Sequence, residues 1–158
     1  MANVSIPTLA PYAVSGALIL LVVAAAMFVR PGNTPGPEKP DPRVLRADET
    51  ERLAEARHLV EEGQAILLDV RELDEWDAAH LANARHLATS VLHDPAARDK
   101  SIADLPKDQP IYCHCKMGGR ALACTELLCG LGYDARALAM PYPKLVEAGF
   151  KPAEAGAR

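Results

Sequence analysis

The sequence predicts an α/β domain, a parallel sheet with helices on both faces, preceded by one transmembrane helix. Three observations carry this. Residues 65–70 (AILLDV) and 111–115 (IYCHC) are short apolar-rich runs without period-two alternation, as strands covered on both sides require. Each is followed by a stretch of helical pattern, and strands alternating with helices imply parallel pairing. Finally, no charged side chain occurs from Met1 to Val29, so all 17 basic and all 21 acidic residues come later.

The apolar run spans residues 9–29, Leu9 to Val29, with Pro11, Tyr12, Ser15 and Gly16 as its interruptions. About 20 helical residues rising 1.5 Å each cross a hydrocarbon layer of about 30 Å. A cleaved signal peptide competes with this reading, with Ala24, Ala25 and Ala26 as a small-residue cleavage site. The run is long for a signal, however, and no Lys or Arg precedes it, which favours an uncleaved anchor over residues 1–29. A buried globular helix is disfavoured because a proline-rich stretch follows, leaving nothing nearby to pack against. Arg30, Lys39, Arg43 and Arg46 all lie after the run, so the positive-inside rule predicts a single-pass cell-membrane protein with its domain in the cytoplasm and membrane lipid as one partner.

Residues 30–43 hold five prolines and two glycines and read as a semi-extended linker. The domain is predicted over residues 44–158. Asp48 with Glu51 three residues later reads as a capping box, Gly63 as the matching stop, and Leu53, Ala56 and Val60 as the buried face of the first helix. The strand at 65–70 comes next, then a helix at 73–79 and a short strand at 84–87. Residues 93–110 are polar, contain Pro95, Pro106 and Pro110, and read mainly as loop with one helical turn. The strand at 111–115 leads through Lys116, Met117, Gly118 and Gly119 into a helix at 120–129, ended by Gly130 and Gly132. A strand at 134–138 and a helix at 141–148, with Pro141 at its start, complete the pattern.

The net charge of −4 gives no basic footprint and disfavours nucleic acid as a partner. Cys113, Cys115, Cys124 and Cys129 lie close together in sequence, and a reducing compartment would leave them as thiols. Adjacent residues on a strand face opposite sides and no second ligand pair with finger-type spacing exists, so a zinc site from Cys113, His114 and Cys115 is poor.

Ligands bind at the carboxyl ends of strands in such sheets, and Cys115 lies at one. A cysteine there, followed by a glycine-containing loop and a helix start, is an arrangement for stabilising an anion. Backbone N–H groups and the positive end of the helix dipole face the sulfur, lower its pKa and predict a nucleophilic thiolate. Lys116 adds a cation, and Gly118 and Gly119 permit the unusual backbone angles of the curl.

At this point the sequence resembles a known family. Asp69-Val70-Arg71, Glu75-Trp76, Ala79-His80-Leu81 leading to Ala84, and the loop Cys115-Lys116-Met117-Gly118-Gly119-Arg120 occur in the order and spacing of the rhodanese homology domain, over roughly residues 44 to 150. The resemblance implies a rhodanese-like fold and a sulfurtransferase that carries sulfane sulfur as a persulfide on Cys115. The donor would be thiosulfate or a persulfide, small-molecule or protein, the acceptor a thiol or cyanide, and no metal or organic cofactor is implied. Lys116, Met117, Gly118, Gly119 and Arg120 would form the substrate-binding loop, with Arg120 fixing it through hydrogen bonds to backbone or a carboxylate. The loop from Cys to Arg has the six-residue length of the sulfurtransferases, one fewer than the related branch acting on oxyanions. The sequence departs from the pattern where Ala79-His80-Leu81-Ala82-Asn83-Ala84 stands for Gly-His-Ile-Pro-Gly-Ala, losing two glycines and a proline. Ala121 replaces a serine, Met140-Pro141 a glycine pair, and Leu145 a common tryptophan. A catalytically idle, partner-binding module at the membrane is the alternative function.

The supporting residues have plainer readings. Asp69 and Arg71 read as a structural ion pair tying a strand end to its loops. His80 reads as a packing and hydrogen-bonding residue, since a thiolate already formed needs no base. Cys113 alternates with Cys115 and is either a resolving thiol or a small buried hydrophobe, the commoner role; Cys124 and Cys129 read as the latter.

Overall fold

The computed structural model describes residues 41–154. The predicted anchor at 9–29 and the linker up to residue 40 lie outside the described residues. Among the described residues no helix is long and apolar enough to cross a membrane.

Five strands, β1 (Val44–Leu45), β2 (Ile66–Asp69), β3 (Ala84–His86), β4 (Ile111–His114) and β5 (Ala135–Leu138), form one sheet in the order β1-β5-β4-β2-β3. Every pairing is parallel. Helices α1 (Thr50–Glu61) and α6 (Tyr142–Glu147) cover one face, where Leu53, Ala56, Val60 and Leu145 pack on Leu67, Tyr112 and Leu138. On the other, α3 (Thr89–His93), α4 (Pro95–Ile102) and α5 (Gly119–Gly130) bring Leu92, Ile102, Cys124 and Leu128 onto Leu68, Cys113 and Ala137. Leu67 and Leu68 thus bury opposite sides of one strand, which explains why β2 lacks alternation: neither face meets water.

The short helix α2 (Leu73–Ala78) buries none of its residues and is held by polar contacts instead. Glu72 caps it, with Glu75 completing a reciprocal capping box. Trp76 lies between two imidazoles, stacked on His80 at 3.8 Å between ring centroids and on His86 at 5.1 Å. Asn83 follows with φ 62, taking the left-handed conformation at the position where the resemblance has a glycine. Asn tolerates that region better than other side chains, so the turn survives the exchange.

Two expectations are corrected. Asp48 does not cap α1: Glu49 precedes the helix, and its carboxylate accepts the Arg46 N–H at 2.7 Å and also bonds Arg52. Residues 93–110, read as mainly loop with one helical turn, hold the whole of the eight-residue α4 and the last residue of α3. Asp94 caps α4 by accepting the N–H groups of Ala96 and Ala97, so Pro95 is a helix starter at this site and not a breaker. β1, unread in the sequence, is too short to show a pattern. It completes the sheet edge by pairing Val44 with Ala137 and Leu45 with Leu138.

The connection after β2 leads to β3 on one side, and the one after β4 leads to β5 on the other. The chain therefore diverges between neighbouring strands β2 and β4, and a crevice opens at their carboxyl ends.

Candidate active site

Cys115 directly follows β4 at this crevice and is 1% exposed. The Gly118 N–H donates to its Sγ at 3.1 Å. Gly118 has φ 95 and immediately precedes α5. A Cβ there would lie 2.8 Å from the Ala139 carbonyl carbon and 2.9 Å from the Met140 nitrogen, so both conformation and space demand glycine. The curl that aims an amide at sulfur is thus pressed against the segment after β5, and the 12-residue α5 begins beside the thiol with its free N–H groups and positive dipole end.

The loop is anchored at both sides. The Tyr142 N–H donates to the Lys116 carbonyl at 3.0 Å. Arg120 reaches across to α2, where its two terminal nitrogens donate to the Glu75 carboxylate at 2.6 and 2.9 Å. This fork-to-fork pair holds the Glu75 carboxyl down to about 2, chiefly through those hydrogen bonds, and raises Arg120 above its ordinary value. Lys116 and Met117 project outward, Met117 being 68% exposed, and among the described residues Lys116 is in no ion pair.

Beneath the loop lies a buried polar cluster. Arg71 donates from Nε and Nη2 to the Asp69 carboxylate at 2.9 and 2.6 Å and from Nη2 to the Ala79 carbonyl at 2.6 Å. Burial opposes the Arg71 charge, but the Asp69 bonds and charge outweigh it and the guanidinium pKa rises. The pair ties the end of β2 to the end of α2, a positioning geometry rather than a reactive one. His114 is fully buried, with Nε2 3.6 Å from Asp69 Oδ2 and neither ring nitrogen hydrogen-bonded. Burial pushes its pKa down to about 4, with Arg71 adding to the effect and Asp69 opposing it. Tyr142 covers the cluster, its ring 4.8 Å from the Arg71 guanidinium carbon.

Of the residues singled out from sequence, Cys115 through Arg120 form one continuous cradle, and Asp69 and Arg71 lie at the end of the adjacent strand. His80 belongs elsewhere: its contacts are the Trp76 ring and, through Nδ1, the Trp76 carbonyl at 3.0 Å. Cys113 shares the buried cluster of Cys115 and Cys124, and burial pushes its thiol up to about 12, the signature of an inert core cysteine. The sequence reading names Glu75 only within the family motif and His114 only in a rejected zinc set, and gives neither a place at the thiol site. Glu75 carried a usable signal, an acid in the first turn of the helix after the β2 end, where it faces a neighbouring loop. His114 carried one in part, since it lies in the run at 111–115 whose pattern implies cover on both sides, and it is fully buried. Among the described residues no group of three or more His, Cys, Asp or Glu side chains is arranged to hold a metal ion.

Comparison with known proteins agrees with this geometry. A family model described as Rhodanese-like domain matches residues 52–148. Over 107 residues the chain is 36% identical to the Thiosulfate:glutathione sulfurtransferase of Homo sapiens, covering 62% of this chain and 93% of that one. Over 69 residues it is 30% identical to the Thiosulfate sulfurtransferase GlpE of Coxiella burnetii, covering 44% of this chain and 61% of that relative. The solved structure of the human single domain sulfurtransferase TSTD1 superposes with a TM-score of 0.52 at 29% identity, over 68% of this chain and 97% of that one. The Alr3790 protein from Anabaena, at 17% identity, shares the fold with a TM-score of 0.56 over 72% of this chain and 94% of that one.

Proposed function

The chain belongs to the rhodanese-like domain family, and from that premise we propose that it is a sulfurtransferase moving sulfane sulfur through a Cys115 persulfide. The observation that carries the reading is the Gly118 N–H aimed at Cys115 Sγ inside a six-residue loop closed by Arg120. The Cys115 thiolate attacks the outer sulfur of thiosulfate; a sulfur–sulfur bond forms, the donor's own breaks, and sulfite leaves with the electron pair. The negative charge now on the outer sulfur of Cys115 stays within reach of the loop amides and the start of α5. An acceptor thiolate or cyanide then attacks that sulfur in its protonated form, the Cys115–sulfur bond breaks, and the Cys115 thiolate is restored. Lys116 attracts the anionic donor, Gly118 and Gly119 shape the cradle, and Arg120, occupied by Glu75, positions the loop without reacting.

Two named relatives transfer sulfur from thiosulfate, and one of them to glutathione, which supports thiosulfate as donor and a low-molecular-weight thiol among acceptors. The uncharged stretch from Met1 to Val29 with basic residues only after it supports a single-pass anchor in the cell membrane and a cytoplasmic domain.

The test is a thiosulfate–cyanide assay on the full chain beside Cys115→Ser. Thiocyanate production lost in the variant, with a 32 Da adduct on Cys115 in the thiosulfate-treated wild type, is the expected result. Equal inactivity of both proteins without the adduct leaves the alternative, a partner-binding module.

A further inference from the structure

The loop amide that meets the Cys115 sulfur belongs to Gly118. A persulfide adds an outer sulfur, and its charge calls for a further donor. The Met117 N–H is free for this: among the described residues it donates to no group. What fixes its direction lies outside the loop.

The Lys116 carbonyl and the Met117 N–H are the two ends of one peptide unit. That unit is planar and trans, so the two groups point in opposite directions. The carbonyl accepts the Tyr142 N–H at 3.0 Å, and the Met117 N–H is thereby turned away from α6. The Tyr142 N–H is one of the donors at the start of α6 that have no partner inside the helix, and it serves the loop instead.

Tyr142 itself is held from below. Its ring stands 4.8 Å from the Arg71 guanidinium carbon and 6.3 Å from the His114 ring, and Arg71 is forked onto fully buried Asp69. The Tyr142 hydroxyl is sealed from solvent without a hydrogen-bond partner, so the ring and not the hydroxyl is what the site uses. Pro141 before it holds φ −61 where the rhodanese pattern has a glycine pair. The strap from Ala139 to Tyr142 therefore touches the loop twice, by backbone pressed on Gly118 and by the bond to Lys116, and it is stiffer than glycines would make it.

We infer that Tyr142 is a positioning residue for sulfur transfer: its ring, seated on Arg71, holds the Lys116–Met117 peptide so that the Met117 N–H donates to the outer sulfur of the Cys115 persulfide. The inference rests on the sulfurtransferase reading and adds a residue to it. No bond made or broken in the transfer changes; the donor is in place before the sulfur arrives.

The experiment follows the Met117 amide proton by NMR in the full chain, before and after loading with thiosulfate, beside steady-state thiosulfate–cyanide kinetics. In wild type and Tyr142→Phe the resonance moves downfield on loading, and the two kcat values agree within about twofold. In Tyr142→Leu the downfield shift is lost and kcat falls about tenfold, while KM for cyanide is unchanged. A Tyr142→Leu protein that keeps both the shift and wild-type kcat overturns the inference. So does a Tyr142→Phe protein that falls as far as Tyr142→Leu, because the hydroxyl would then be what matters. Should Tyr142→Leu fail to fold, Pro141→Gly decides: a smaller shift with reduced kcat supports the inference, and wild-type values for both overturn it. All these outcomes leave the sulfurtransferase reading intact, whereas an inert wild type removes that reading and the inference together.

Discussion

Arg120 and Glu75 meet fork to fork across 45 residues of sequence, joining the first turn of α5 to the first turn of α2 with bonds of 2.6 and 2.9 Å. The helix that begins at the thiol is thereby locked to the helix that follows the neighbouring strand β2. In Glu75→Gln one acceptor oxygen and the charge are lost. A loss of about 1–2 kcal/mol in urea unfolding and a tenfold or greater fall in kcat are expected, with KM for cyanide nearly unchanged. The pH dependence follows from the depressed carboxyl: the contribution is present above the ordinary value of 4.5 and lost as pH falls from there toward about 2. Glu75→Gln should remove that acid limb, and an unaltered limb would show that the pair contributes nothing.

His114 titrates in the opposite chemical sense and with the same outcome. Its folded value of about 4 lies below the ordinary 6.5, so the unfolded chain binds a proton that the folded chain refuses. Stability is complete above pH 6.5 and is lost as pH falls toward 4, by about 3 kcal/mol in all. In His114→Phe, of similar shape, urea midpoints between pH 7 and pH 4 should fall less steeply than in wild type. Parallel slopes for the two proteins would contradict the assignment.

Gly118→Ala should be the most damaging single methyl in the domain. The added carbon meets backbone of the Ala139–Met140 segment and the residue must hold φ 95. A destabilisation of about 3 kcal/mol is expected, together with loss of the 32 Da adduct on Cys115. A variant that kept wild-type persulfide yield would show that the curl is not needed.

Cys113→Ala separates the neighbouring thiols. With its own thiol pushed up to about 12 by burial and held in the core, Cys113 is expected to be dispensable, so the variant should keep at least half of wild-type kcat while losing about 1 kcal/mol from the vacated core volume. Mass spectrometry that found the sulfur on Cys113 in the Cys115→Ser protein would reverse the order of the two.

Most of this arrangement was legible because it is local. The sulfur, the glycines and the following helix are consecutive, and β2 and β4 announce themselves by runs that cannot face water on either side. The charge-locking partner of Arg120 is 45 residues away and no periodicity links it to the loop. Asp48 with Glu51 has the spacing of a capping box, yet Glu49 takes the N-cap position without a side-chain cap, its carboxylate bonded to Arg46 and Arg52 instead. Pro95 reads as an interruption until Asp94 is seen to satisfy the two N–H groups beyond it. His114 lies in a run whose pattern implies burial, but its placement 3.6 Å from Asp69 and beside the Tyr142 ring comes from contacts that no periodicity announces.

The chain contains one tryptophan, and its position makes the domain self-reporting. Trp76 sits in α2 between His80 and His86, on the helix that Arg120 fastens to the sulfur-bearing loop. Imidazole neighbours at such range quench indole emission, most strongly when protonated. A change in that stacking is therefore readable as intrinsic emission without a label, and stopped-flow mixing with thiosulfate tests whether the helix responds when the proposed persulfide forms.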